Sequence, residues 1–317
     1  MSVIQQEGSI NESTQLIDGG MFGALGFNAV YLIAGTRTCL IDSGTKAEAP
    51  YLIKKLKRLH AFPPDLIILT HPHWDHTQGI PLMRKEALKM GKKIEVLASA
   101  EAIQPLEDCS FNNVFEIGSC EAIEQVTPLR DGDTIDLGST SLHIYDVPGH
   151  CRGHIAVFDT KSECLFAGDS VGNQYRDQLF MPTFMPPTWN TEDYLSSLKK
   201  MKQIPFKALC RGHFGCTTGE DARVGFDKSV EIFHLWWEFY ERNANRLDDL
   251  NYLVTRMREE INPQPPQVTL ISLTRRFMMK LMSPQKIRSI VENTLVRNYL
   301  KWLASAYRLY ANARVIL

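Results

Sequence analysis

The chain has 317 residues, 44% of them hydrophobic and 22% charged, with a formal net charge of -1. Such a length and apolar fraction suit one large globular domain, or a main domain with an appendage, and exclude a collagenous or low-complexity chain. No apolar run approaches the ~20 residues of a membrane span, and the near-neutral balance argues against a protein that coats nucleic acid.

Residues 1–20 lack the basic start and apolar stretch of a secretory signal, so none is expected. Seven cysteines at irregular spacing, without a Cys-x-x-Cys pair, suggest buried free thiols in a reducing, cytoplasmic compartment. The charge is unevenly divided. Residues 1–220 hold 20 Lys and Arg against 26 Asp and Glu, whereas residues 221–317 hold 15 against 10. Beyond Glu260, nine basic residues face only Glu292. An acidic body therefore carries a basic tail.

In chain order, Ala29–Ala34 and Thr38–Ile41 are short apolar runs around Gly35-Thr36, the pattern of a hairpin. Residues 46–60 place Leu52, Ile53, Leu56 and Leu59 at helical spacing. Asp65–Thr70 reads as a buried strand, 77–90 as a helix and Lys93–Leu97 as another strand. Ile123–Val126, Thr134–Leu137, Ser141–Val147, Ile155–Asp159 and Cys164–Ala167 are separated by Gly and Asp turns and read as successive strands of a sheet. Asn173–Trp189 reads as a long loop. Asn190 or Thr191 caps a helix to about Gln203, with Glu192 and Asp193 in its acidic first turn. Phe206–Cys210 is a last strand.

From residue 219 the pattern is helical, in segments 219–246 and 247–262, a break at Pro263–Pro266, and two further segments to about 311. We therefore divide the chain into a catalytic domain, 1–218, and a helical extension, 219–317, that packs on it. Phe233, Trp236, Trp237, Phe239 and Tyr240 are too dense for one narrow stripe. They are expected to pack on the body or on a neighbouring subunit, which leaves a homo-oligomer open. The basic residues Arg275, Arg276, Lys280, Lys286 and Arg288 read as an exposed helix face, with steering of an anionic substrate, or docking of a partner or nucleic acid, as the alternatives.

The chemistry concentrates in Thr70-His71-Pro72-His73-Trp74-Asp75-His76, directly after an apolar strand. Residues at i and i+2 share a face only in extended chain, so His71 and His73 converge just past the strand end, while Asp75 and His76 open the next helix. Three more candidates follow strands beside a glycine: His150 in Pro148-Gly149-His150, Asp169 in Ala167-Gly168-Asp169, and His213 in Arg211-Gly212-His213. Imidazole and carboxylate suit Zn, Fe or Mn. Strand ends on one sheet edge can deliver them to one crevice. His154 reads as a residue behind the ligands, His60, His143 and His234 as structural or exposed, and Cys210 and Cys216 as thiols outside the ligand set.

In these motifs and their order, residues 13–216 resemble the metallo-β-lactamase superfamily. The resemblance implies an α/β fold, a four-layered αβ/βα sandwich, here with an all-helical C-terminal extension. It assigns His71, His73 and His150 to one divalent metal and Asp75, His76 and His213 to a second, most readily zinc, with Asp169 bridging. Asp42, in Cys39-Leu40-Ile41-Asp42-Ser43-Gly44, would orient the histidine loop from behind. The implied reaction is hydrolysis by a metal-bridging hydroxide, with Asp75 as the catalytic carboxylate.

A small-molecule ester, thioester or lactone is the expected substrate. The stretch after Asp169, with Tyr175, Arg176, Phe180, Met181, Phe184 and Met185, would wall the pocket, Tyr175, Phe180 and Met185 touching substrate and Tyr175 assisting an oxyanion. A phosphodiesterase is the first alternative. The 62 residues between His150 and His213 leave no room for the large inserted domain of nucleic-acid-processing relatives. A mononuclear iron persulfide dioxygenase, using His71, His150 and Asp169, is the second. Retention of all seven ligands argues against a non-enzymatic binding module.

Overall fold

The strand Ala29–Ile33 is buried along its whole length, and its side chains alternate between two cores: Tyr31 and Ile33 on one side, Val30 and Leu32 on the other. A strand covered on both faces must sit inside a layered structure. The computed structural model describes residues 3–116, 120–175, 179–261, 269–270 and 284–315. Two seven-stranded sheets face each other. The first runs in the order Gly8–Ser9, Thr14–Asp18, Ala29–Ile33, Cys39–Ile41, Leu66–Leu69, Glu95–Ser99, Thr127–Leu129, and becomes parallel from Cys39–Ile41 onward. The second runs Val3–Ile4, Cys216–Thr218, Ala208–Arg211, Cys164–Gly168, Ile155–Asp159, Ser141–Asp146, Thr134–Asp136, with Cys164–Gly168 and Ala208–Arg211 parallel.

Tyr31, Ile41, Ile68 and Leu97 of the first sheet meet Ile144, Val157, Phe166 and Cys210 of the second in the central core. The outer face of the first sheet packs on the helices Ala49–Arg58 and Ile80–Leu88. The outer face of the second contributes Phe158, Leu165, Ala167 and Leu209 to a core shared with Thr191–Lys202, Gly219–Arg242, Leu250–Glu260 and Pro284–Val315. The layers are thus αβ/βα, with the helical extension continuous with the outermost helical layer. No helix of the described residues is long and apolar enough to cross a membrane.

Several expectations need correction. Ile123–Val126 is not a strand: Ile123 donates its backbone N–H to the Leu106 carbonyl and buries its side chain under the first sheet. The strand lies at Thr127–Leu129 and joins the first sheet, parallel to Glu95–Ser99. The loop after Asp169 opens with a hairpin, Asn173–Tyr175 paired with Leu179–Met181. Cys109 and Cys120 form a disulfide, while Cys39, Cys151, Cys164, Cys210 and Cys216 are free and buried. Cys109 adopts a left-handed conformation (φ 57°) at the end of Ile103–Asp108 and turns the chain back toward Cys120.

The C-terminal half of the extension also differs. The helix Pro284–Val315 is the last described element, residues 271–283 lie outside the described residues, and Thr269–Leu270 pairs with Ala24–Leu25. Arg176, Pro263–Pro266, Arg275, Arg276 and Lys280, and the side chains of Lys286 and Arg288, lie outside the described residues. Of the described basic residues, Lys301 pairs with Glu116 of the body at 2.7 Å and Arg314 with Glu192 of the body, while Arg308 pairs with Asp248 of the extension at 2.9 Å and Arg297 donates to Asn251 there. Such exposed pairs contribute little stability. The helix is held by Leu300, Leu303, Ala304 and Ala306, all buried in the shared core. Truncating the fully buried Leu303 to Ala is expected to cost about 2–5 kcal/mol. Chemical denaturation should show this as a lower midpoint of a single cooperative transition, since helix and body share one core.

Candidate metal centre

Each expected ligand follows a strand. His71 lies two residues past Leu66–Leu69, Asp169 directly after Cys164–Gly168, and His213 two past Ala208–Arg211, while His150 follows Ser141–Asp146 by a short turn. Trp74–Thr77 is a short helix that carries Asp75 and His76, with His73 at its N-cap. Two glycines permit the close approach. Gly149 has φ 130°, and a Cβ there would lie 2.3 Å from the Tyr194 backbone. At Gly212 a Cβ would meet Asp169 Oδ1 and His76 Cε1, each at 2.6 Å.

The ligand atoms converge in three overlapping groups: His71, His73 and His150; His71, His76 and Asp169; and Asp75, His76 and His213. Within each, the atoms lie within 4.8 Å of one another. Asp169 reaches both ends, with Oδ1 3.5 Å from His76 Nε2, and Oδ2 3.5 Å from His213 Nε2 and 3.8 Å from His150 Nε2. Asp75 Oδ2 lies 3.2 Å from His213 Nε2.

The hydrogen bonds behind the rings decide what faces inward. His76 Nδ1 lies 2.8 Å from the Asp42 carboxylate, His150 Nδ1 2.5 Å from the Thr183 carbonyl, and His213 Nδ1 2.5 Å from the Phe27 carbonyl. These partners only accept, so each Nδ1 carries the proton and each Nε2 of the neutral ring presents a lone pair to the crevice. His76 Nε2 and His213 Nε2 then face each other at 3.3 Å, and His150 Nε2 faces His73 Nδ1 at 2.9 Å. Nitrogens this close need a proton or a metal cation between them. His71 Nε2 and Asp169 Oδ1 are buried with no hydrogen-bond partner among the described residues. The donor set therefore fits divalent metal.

Asp42 also accepts from the backbone N–H of Thr70 (2.7 Å) and from its hydroxyl, anchoring the histidine loop to the preceding strand. Asn28 donates to the Asp75 carbonyl at 2.8 Å and supports the other end. His154 uses both nitrogens elsewhere: Nε2 accepts from Asp169 N at 3.1 Å, and Nδ1 meets Ser170 Oγ at 3.1 Å. Its ring stacks on His71 with centroids 4.7 Å apart.

Electrostatics follow from this crowding. Burial pushes His71, His73 and His150 down, and neighbouring imidazoles push them the same way. Burial also opposes charge on His76 and His213, but Asp169, Asp42 and Asp75 outweigh it and raise His76 to about 10; Asp169 and Asp75 raise His213 to about 9. For Asp75, burial favours the neutral form, yet His76 and His213 hold it well below the usual carboxylate range.

Around the ligands lies an aromatic shell. Phe27 packs on Tyr175 at 5.5 Å and Phe22 on Trp74 at 6.3 Å. Phe115 packs edge-on against His73 at 5.1 Å. Tyr175 lies 6.5 Å from His213, centroid to centroid, and burial keeps its hydroxyl protonated. The other two residues expected at the substrate are placed differently. Phe180 covers Gly172 and the Arg211 guanidinium, and Met185 is buried in the outer helical core. Phe22, Phe27 and Phe115 were not anticipated. Only Phe27, adjacent to the strand Ala29–Ile33, had a local signal.

Comparison with known proteins decides the family. The family model of the metallo-beta-lactamase superfamily matches residues 23–213. The chain belongs to the metallo-beta-lactamase superfamily. Among curated relatives, a hydroxyacylglutathione hydrolase of Fuscovulum blasticum is 31% identical over 184 residues, covering 57% of this chain and 58% of the relative. The acyl-coenzyme A thioesterase MBLAC2 of Homo sapiens is 31% identical over 164 residues, covering 48% and 56%. The chain thus spans less than three-fifths of the length of these curated relatives.

Among solved structures, an archaeal superfamily protein from Sulfolobus tokodaii aligns with a TM-score of 0.59 at 18% identity, over 94% of this chain and 99% of its own. The subclass B3 metallo-beta-lactamase BJP-1 of Bradyrhizobium japonicum aligns at 0.58 and 18%, over 78% and 97%. At that identity the likeness establishes the shared fold.

Two predictions follow from the centre in this superfamily member. Replacing Asp42 by Ala frees the His76 ring, and metal affinity should fall about 10–100-fold, read by chelator competition. Because metal must displace protons from His76 and His213, affinity should rise with pH up to about 10. Calorimetry in two buffers of different ionisation enthalpy should show proton release at pH 7 that shrinks toward pH 10.

Proposed function

We propose that the chain is a hydrolase of thioesters that depends on two divalent metal ions, zinc being the best match to the ligands. His71, His73 and His150 would hold one and Asp75, His76 and His213 the other, with Asp169 shared. The carrying observation is the inward convergence of imidazole lone pairs whose outer nitrogens are fixed by Asp42, Thr183 and Phe27. The substrate class is supported by the two kinds of curated relative, whose names both denote cleavage of an acyl–sulfur bond.

Metal ions bound there supply Lewis acidity and lower the pKa of water. The chain's own residues do the rest. Asp75, held ionised, accepts a hydrogen bond from the attacking water and aims it. Tyr175, neutral and beside His213, can donate to the oxygen that becomes negative. A thiolate has a conjugate acid of pKa ~8.5 and leaves without a strong general acid, which suits a centre whose outer imidazole protons are committed to Asp42, Thr183 and Phe27. The aromatic shell excludes water from the acyl group.

Stripping metal should abolish hydrolysis of an acyl thioester, and restoring zinc should recover it. Asp75→Asn should lower kcat at least ~100-fold, the usual scale for a positioned catalytic group. Full turnover by metal-free protein would overturn the proposal. So would faster cleavage of bis-p-nitrophenyl phosphate than of thioesters, or one iron per chain with oxygen consumption.

A further inference from the structure

Three large apolar side chains stand out of the sandwich at the end opposite the metal centre. Leu59 is 43% exposed, Leu88 61% and Met90 50%. Leu59 caps the helix Ala49–Arg58, although it continues that helix's apolar spacing, and Leu88 and Met90 close the helix Ile80–Leu88. The two helices pack side by side on the outer face of the first sheet. Each leads back into a strand of that sheet, Leu66–Leu69 and Glu95–Ser99, and these strands are parallel neighbours with Leu66 opposite Glu95. Both helices therefore end at one edge, where the two strands begin. His71 follows the other end of Leu66–Leu69, so the metal centre faces away.

The same edge is strongly positive. The turns 57–60 and 88–93 are exposed at every residue and carry Lys57, Arg58, Lys89, Lys92 and Lys93, with no carboxylate. Neighbouring acids are occupied: Glu86 by Lys89 at 2.6 Å, Glu95 by Arg37 at 2.8 Å, and Asp65 by the Thr38 backbone N–H at 2.7 Å. Lys57 lies over the Phe62 ring at 5.3 Å, while Arg58, Lys92 and Lys93 make no ion pair among the described residues. This edge belongs to a body in which Asp and Glu outnumber Lys and Arg, so its charge is a local feature.

A single exposed leucine is ordinary. Apolar side chains ringed by long cations combine the two attractions that hold a peripheral protein on an anionic bilayer: apolar burial at the headgroup boundary and Coulomb attraction to the headgroups. Lysine and arginine suit that depth, because their methylene stems can be buried while the charge stays among the headgroups. Nucleic acid would satisfy the cations and leave Leu59, Leu88 and Met90 without a partner.

We propose that the edge formed by 57–60 and 88–93 docks on an anionic lipid bilayer. Leu59, Leu88 and Met90 enter the headgroup boundary, the five cations face the lipid phosphates and carboxylates, and the metal centre is left open to the aqueous side. The bilayer is touched and not crossed, and the inference is independent of the thioester reading.

The test is sedimentation of the full chain with vesicles of phosphatidylcholine alone and with vesicles that also contain phosphatidylserine. Binding is expected to the anionic vesicles only, and it should weaken as salt rises. Lys92→Gln combined with Lys93→Gln should lower partitioning about tenfold or more, at roughly fivefold per lysine. Leu88→Ser combined with Met90→Ser should lower it at least about fivefold. Because all four side chains are exposed, melting temperature and metal content of both variants should match wild type. No binding to anionic vesicles, equal binding to both kinds, or undiminished binding by either double variant would overturn the inference. A DNA duplex bound in place of the vesicles, with the Leu88 and Met90 substitutions having no effect, would overturn it as well.

Discussion

Three acceptors behind three imidazoles govern this structure. Asp42, the Thr183 carbonyl and the Phe27 carbonyl each hold an Nδ1 proton, and so turn the Nε2 lone pairs of His76, His150 and His213 inward. The inward nitrogens approach to 3.3 Å or less, which calls for a shared proton or a metal cation between them. The rings are anchored from the first sheet and from the separate two-stranded hairpin. The Asp42 anchor follows Cys39–Ile41, the Phe27 anchor precedes Ala29–Ile33, and the Thr183 anchor follows the hairpin after Asp169. The two-sheet sandwich thus brings anchors far apart in sequence to one edge. Gly149 and Gly212 give the backbone room to close around them.

The acidic body and basic tail are parts of one assembly. Lys301, Arg308 and Arg314 meet Glu116, Asp248 and Glu192, but the buried apolar residues beside them hold the helix. The consequence for chemistry lies on the inner side of that helix, where Trp302 extends the aromatic wall begun by Phe115. The disulfide Cys109–Cys120 closes the loop that carries Phe115, and Asn112 in that loop donates to the Pro72 carbonyl between two ligands. The pocket wall and the metal loop are therefore mechanically joined.

What could be read from sequence was what is local. His71, His73, Asp75 and His76 sit in one short stretch after an apolar strand, and His150, Asp169 and His213 each follow a strand beside a glycine. Their shared pattern was visible without coordinates, and their ligand atoms are brought together in the structure. Asp42 was legible because it ends a strand next to the loop. Trp302 and Phe115 were not, because each is an ordinary aromatic residue in its own segment. The Cys109–Cys120 pair was hidden by the odd cysteine count. Thr127–Leu129 was misplaced because its Pro128 weakens the strand signal, while Ile123 looks strand-like but caps a helix.

The central claim, that convergent lone pairs and two carboxylates hold two cations, is tested most directly by metal analysis of protein purified without added metal. The account predicts about two divalent metal ions per chain in the wild type. In His213→Ala it predicts about one, held by His71, His73 and His150. A folded wild-type chain that retains no metal and takes up none on titration with zinc would contradict it.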